Sequence, residues 1–343
     1  MNMPRVVLHV GLHKTGTTFL QQNVFPLIDP LAVDYNPTGI REAIKSVYRS
    51  NYRSAVVERE SLAIRKIVQN ANRPILISYE LMSGSPWINY ADLDDMVDVL
   101  KKSFDTATVV IVLRNQIDWL TSLYQEGLKD GVSASPAKFF SSGKRSPKTH
   151  WHEGVEACEF DFAKIVETYE RRFGPGQTKV LFYETLRSDP NRFLDRFESV
   201  SAITMPRHFD NSRVNPGLGA SGVLCLARLR QLPFQSPFPR HRWAHPTMLL
   251  ESILRKNPNR LSTKILNGLS ECRLTERQIR RRKMDRQLRF ARWISSMSQS
   301  TQSIIPNYLV DTLRSNYAIR NRTLEKYFDQ DSVREKYYLG SVR

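Results

Sequence analysis

The sequence is poor in cysteine, short of acid and free of long apolar runs, and each shortage excludes something. Three cysteines, Cys158, Cys225 and Cys272, are spread over 343 residues. They are odd in number and form no C-x-x-C, which excludes a disulfide framework or a thiolate metal knuckle as the basis of the fold. The seven histidines form no H-E-x-x-H, and no metal site is predicted. No stretch approaches the roughly 18–20 apolar residues of a membrane-spanning helix. A strand is expected from Arg5, which leaves no room for a secretory leader, so a reducing, cytoplasmic setting is expected. Acids number 34 against 51 Lys and Arg, a formal net charge of +17. That excess suits an acidic ligand, an acidic polymer or an anionic membrane surface. No nucleic-acid module signature accompanies it, so nucleic acid is not the expected partner. The length is ample for one large domain, or for one domain with a sizeable appendage.

What is present is organised around residues 5–20, RVVLHVGLHKTGTTFL. Arg5–Val10 is a short, β-branched apolar run of the kind that forms a buried parallel strand. Gly11 breaks it, a turn follows, and Phe19, Leu20 and Val24 recur at helical spacing from Thr17. A strand, a glycine-bearing loop and a helix N-terminus in that order build a phosphate cradle. Loop N–H groups and the positive end of the helix dipole converge on one anion, and Lys14 adds full charge. The stretch is not a Walker A box, because Thr17 stands after Gly16 where that motif has its lysine.

Further along, Pro74–Ser78, Ala107–Leu113 and Lys179–Tyr183 read as three more strands. Helices are expected over Ser54–Asn70, Ala91–Phe104, Ile117–Lys129, Phe162–Phe173 and about Asn191–Val200. Residues 26–53, punctuated by Pro26, Pro30, Pro37 and Gly39, read as mixed loops. Strands alternating with helices over 5–200 predict an α/β fold, a P-loop-type central parallel sheet flanked by helices. Ligands bind outside the carboxyl ends of such strands, where Lys14, Glu80, Arg114 and Glu184 fall. Residues 130–153 read as a lid or substrate loop. Beyond Ala220 the chain is mostly helical, at 220–231, 247–256, 274–297 and 307–328, with a Pro- and aromatic-rich connector at 232–246. The expected division is an α/β core over 1–219 and a helical subdomain over 220–343, part of the same fold. Between Arg273 and Arg292 there are nine Lys or Arg against two acids, read either as a solvated basic surface or as a face for an acidic partner or membrane.

A second informative stretch, VVIVLRNQIDWLTSLYQEGLK (109–129), puts Arg114 at a strand's end and Ser122 two turns into the next helix. A charged donor and a hydroxyl flanking one turn can share a phosphate. The form GxxKTGTT at 11–18, with Arg114 and Ser122, resembles the nucleotide-binding motifs of sulfotransferases that use 3′-phosphoadenosine-5′-phosphosulfate (PAPS). KVLFYETLRSDP (179–190), Ser212–Pro216 and YAIRNRTLEKYF (317–328) are weaker matches, the last to bacterial enzymes that sulfate glycans. The Arg-Lys-Gly loop of the small-molecule branch is absent, which leaves the adenine contacts unassigned.

The resemblance implies that His13, Lys14, Thr15, Gly16, Thr17 and Thr18 hold the 5′-phosphosulfate, and that Arg114 and Ser122 hold the 3′-phosphate. Lys14 would stabilise the leaving oxygen, and no metal is required. Glu80 is the first candidate for the base that takes the acceptor proton, with His13, His150 and His152 as rivals. Glu184 is read as structural. The acceptor implied is a carbohydrate or glycolipid hydroxyl. Two other readings stay open: a P-loop nucleotide kinase or NTPase, and a non-catalytic module that binds acidic polymer or membrane through its basic helices.

Overall fold

The computed structural model describes residues 4–141, 154–211, 217–231, 276–297, 303–328 and 331–338. Five strands form one parallel sheet: β1 (Val6–His9), β2 (Asp34–Tyr35), β3 (Ile75–Ser78), β4 (Thr108–Leu113) and β5 (Thr178–Phe182). Their spatial order is β2-β3-β1-β4-β5. β1 lies at the centre, with Leu8 opposite Ile77 of β3 and His9 opposite Val110 of β4. The chain first builds outward to β2 and β3, then crosses over β1 to β4 and β5. The direction of winding therefore reverses at the β1–β4 junction, the place where an open α/β sheet leaves a crevice at its carboxyl edge.

The four expected strands lie where the apolar runs place them. β2 was not expected. It is two residues long and owes its place to the strand beside it, through Asp34 N–H to the Pro74 carbonyl (2.9 Å) and Asn36 N–H to the Leu76 carbonyl (2.8 Å).

One helical stretch opens at Thr17 as α1 (Thr17–Phe19) and continues as a π turn over Leu20–Val24. It is followed by α2 (Ile40–Arg49), α3 (Ser54–Gln69), α4 (Leu93–Ser103), α5 (Gln116–Asp130) and α6 (Pro136–Phe140). Then come α7 (Phe162–Phe173), α8 (Tyr183–Ser188) and α9 (Pro190–Ser201). Side-chain caps set several starts. Asp161 accepts from Lys164 N–H at α7, Asp189 from Arg192 N–H at α9, and Asn115 from Ile117 and Asp118 N–H at α5, each at 3.0–3.1 Å. α7 stops at Gly174, whose φ of 97° a side chain would resist. α2, α6 and α8 replace what reads in the sequence as loop.

Val7, Leu76, Val110, Val112 and Leu181 of the sheet pack with Leu20, Val24, Phe25, Phe193, Leu194 and Phe197 in one buried cluster. α7 crosses β4 and β5 and packs on α4. Burying side chains of this kind contributes roughly 1.5–3 kcal/mol each.

The described chain falls into two compact units. The first comprises Met1–Glu126, Pro136–Gly217 and Ser303–Arg343; the second comprises Gly127–Ser135 and Leu218–Gln302. The segment from Ser303 belongs with the unit that holds the sheet. That segment holds α12 (Asn307–Arg320), a 3₁₀ turn over Asn321–Tyr327 and α13 (Asp331–Lys336). The second unit contains α10 (Ala220–Gln231) and α11 (Glu276–Met297). Residues 142–153 with His150 and His152, Ser212–Pro216, the 232–246 connector and the 247–256 helix lie outside the described residues.

The returning segment is fastened by polar groups. Gln116 Nε2 donates to Asn321 Oδ1 (2.7 Å), Asn321 Nδ2 donates back to Gln116 Oε1 (3.2 Å) and to the Tyr337 carbonyl (3.1 Å). Both amides are fully buried. Replacing Asn321 by Ala would strand the Gln116 amide and is expected to destabilise the protein by about 1–3 kcal/mol. A urea midpoint identical to that of the parent would refute this account of the fastening.

Candidate active site at the carboxyl edge of the sheet

The loop after β1 is held by its carbonyl groups. The Thr15 hydroxyl donates to the Leu12 carbonyl (2.5 Å), Trp119 Nε1 to the His13 carbonyl (2.5 Å) and Arg114 Nη1 to the Lys14 carbonyl (3.0 Å). A trans peptide points its N–H opposite its C=O. Tying the carbonyls of residues 12, 13 and 14 therefore turns the N–H groups of His13, Lys14 and Thr15 the other way. Lys14 sits at φ 67° and Gly16 at φ 83°, the left-handed turns that let successive N–H groups converge in an anion-binding nest. Gly16 is also required for space, since a Cβ there would lie 2.7 Å from the Leu186 side chain. Gly11 is in the same position against Thr17 Cγ2, at 2.5 Å.

The Thr15 hydroxyl is engaged within the loop and fully buried, so Thr15 offers its N–H alone. Thr17 is buried and Thr18 half-buried at the helix start. The Lys14 ammonium pairs with Glu126 Oε2 at 3.0 Å, both side chains partly exposed. Such a pair is worth about 0–1 kcal/mol, so a phosphate group can displace it at little cost.

Arg114 connects the two informative stretches. Besides bonding the Lys14 carbonyl it lies over the Tyr183 ring, 4.7 Å from the centroid, and its Nε is buried without a partner. Ser122 is half-buried on α5 and makes no hydrogen bond with the described residues. It is four residues before Glu126, so the two share the helix face that reaches Lys14.

Glu80 opens a 3₁₀ turn directly after β3 and acts electrostatically on His13. Burial lowers the His13 pKa to about 4; Glu80 opposes the shift and Lys14 reinforces it. Its Nδ1 is shut off from solvent and has no partner. The imidazole is thus neutral at pH 7, able to accept a proton or a hydrogen bond. Glu184, by contrast, is committed to structure. Oε1 accepts from Asn115 N–H (2.8 Å) and Oε2 from the Tyr337 hydroxyl (3.2 Å), and burial raises its pKa.

Several residues of the site escaped the sequence reading. Glu126 could have been found from its i+4 spacing to Ser122. Trp119 and Tyr183 carry no local sign of their role. His9 lies beneath the loop, fully buried, with Nδ1 2.8 Å from Ser78 Oγ, and Gln21 Nε2 donates to that same hydroxyl (3.0 Å). Burial lowers the His9 pKa to about 3.

A family model described as "Sulfotransferase domain" matches residues 4–213. The chain belongs to the sulfotransferase family. Among solved structures it is similar to a sulfotransferase from Alicyclobacillus acidocaldarius, at 16% identity over 63% of this chain and 88% of that one, with a TM-score of 0.43. It is also similar to the sulfotransferase domain from the curacin biosynthetic pathway, at 12% identity over 60% and 77% of the two chains, TM-score 0.34. No curated protein matches the chain. As a sulfotransferase the protein catalyses sulfuryl transfer, and the loop and Arg114 both lie within the matched residues.

His9 and His13 give this sulfotransferase a pH signature. Their folded-state pKa values lie below the usual 6.5, so the unfolded chain takes up protons first. The stability they confer is full above pH 6.5 and declines as pH falls toward about 4 and 3. An NMR titration is expected to find His13 neutral at pH 5, with its midpoint near 4. A midpoint near 6.5 would show that the ring is not enclosed as described.

Proposed function

We propose that the protein transfers a sulfuryl group from PAPS to a hydroxyl of a carbohydrate or glycolipid. The observation that carries this reading is the loop tied by its carbonyls at residues 12, 13 and 14, with Lys14 on its apex and Arg114 beneath. It offers a nest of N–H groups and two cations to a doubly phosphorylated nucleotide. The donor set fits the ligand: N–H groups of His13 to Thr18 toward the 5′-phosphosulfate, Arg114 with its unpartnered Nε and Ser122 toward the 3′-phosphate.

In the reaction the acceptor oxygen bonds to sulfur, the bond from sulfur to the bridging phosphate oxygen breaks, and the hydroxyl proton passes to a base. Negative charge grows on the bridging oxygen, and donors fixed in advance at that point lower the barrier most. Lys14 takes that role once the nucleotide displaces Glu126. Charge neutralisation by Lys14 and Arg114 leaves no step that calls for a metal. Glu80 takes the acceptor proton in this reading, and His13, kept neutral by burial and within the electrostatic reach of Glu80, orients the hydroxyl or relays the proton. The glycan acceptor is supported by the likeness of residues 317–328 to glycan-sulfating enzymes. The sparse cysteines support a cytoplasmic setting.

Calorimetric titration with 3′-phosphoadenosine-5′-phosphate, against ATP with magnesium, tests the donor. Tight, magnesium-independent binding is expected, weakened about tenfold or more by Arg114→Ala, since a charge-assisted hydrogen bond is worth about 1.5–3 kcal/mol. Preference for magnesium-ATP would replace the reading with a kinase. Glu80→Gln is expected to reduce kcat by about 10²–10⁴ with the bisphosphate affinity unchanged; an undiminished rate would remove Glu80 as base.

A further inference from the structure

In the second unit, α10 and α11 pack together closely because Gly222 has no side chain. A Cβ there would fall 1.8 Å from Ser295 Oγ and 2.5 Å from the Ala291 carbonyl. The inward face of α11 is thereby fixed. Ala291 is fully buried, Gln287 Nε2 donates to the Leu229 carbonyl (3.2 Å) and Arg230 Nη1 donates to Gln287 Oε1 (2.5 Å). Residues 287, 291 and 295, four apart, make the stripe that meets α10.

The other side of the helix is of opposite character. Phe290 and Trp293 stand 47% and 54% exposed, with ring centroids 5.6 Å apart. Arg289 and Arg292 beside them are exposed and have no ion-pair partner among the described residues. The helix as a whole carries eight Lys or Arg against Glu276 and Asp285. An adjoining pair of large aromatic rings in water, flanked by unneutralised guanidinium groups, leaves two needs unmet at one place: apolar cover and counter-charge.

We propose that this face of α11 docks on an anionic lipid bilayer. The rings enter the boundary between headgroups and acyl chains, and the arginines stay at the level of the lipid phosphates. A bilayer meets both needs at once, since Trp and Phe favour that boundary and each nearby Arg adds attraction to anionic lipid. A hydrophilic polyanion would neutralise the arginines but leave the rings in water, and charge alone would not select it over the membrane. No helix among the described residues is long and apolar enough to cross a bilayer, so the attachment is peripheral.

The test is co-sedimentation of the full chain with phosphatidylcholine vesicles, with and without phosphatidylserine. Binding is expected only with phosphatidylserine. It should fall roughly thirtyfold in Arg289→Ser/Arg292→Ser, at about 1 kcal/mol per charge, and comparably in Phe290→Ser/Trp293→Ser. These positions are exposed, and unchanged circular dichroism and unchanged affinity for the bisphosphate nucleotide confirm folding. Full binding by the aromatic double variant, with retention on heparin, would overturn the proposal in favour of a polyanion partner. Failure of the parent protein to sediment with either vesicle would overturn it outright. Neither outcome bears on the sulfuryl donor.

Discussion

The hydrogen bond from Arg114 to the Lys14 carbonyl is the contact on which the site depends. A non-glycine residue at φ 67° costs on the order of 1–2 kcal/mol, and something outside the loop has to hold it there. Arg114 does so from the end of the neighbouring strand, 100 residues away in sequence. Because the bond is made to a carbonyl, it fixes the adjacent N–H groups in the direction away from Arg114. The same guanidinium, backed by the Tyr183 ring, therefore shapes the loop while its own buried Nε has no partner among the described residues.

That arrangement also explains why the sheet order matters. β1 and β4 are neighbours only because the chain crosses over after β3, and Val10 N–H still bonds the Val110 carbonyl beyond the formal end of β1. The two motifs are brought together by the crossover. Neither would form a site on an edge strand, where the second motif would have no partner.

Much of this was legible in the sequence wherever the cause was local. α7 could be read to the residue, because Asp161 and Gly174 sit at its two ends. The turn after β1 and the place of Arg114 at the end of β4 were legible because strand, glycine and charge follow one another. β2 was not, since its two residues are extended only through pairing with β3. α2 was hidden by the prolines and glycine before it, and α8 because the chain turns from β5 into a helix with no break residue between. Within the site, Lys14 was legible and its partner Glu126 was passed over. Trp119 and Tyr183 act on the loop through space, which no window along the chain records.

The buried amide pair of Gln116 and Asn321 has a consequence for synthesis. The turn that carries Arg114 is completed by a side chain 205 residues further on, and by Tyr337, whose hydroxyl meets Glu184. Contacts of such long sequence separation form late, because the loop they close is expensive in entropy. During translation the sheet can assemble from the first 182 residues while the turn beside it still lacks its cover. The cover of that turn is thus synthesised well after the last strand of the sheet, so the turn that carries Arg114 is the later of the two to be closed.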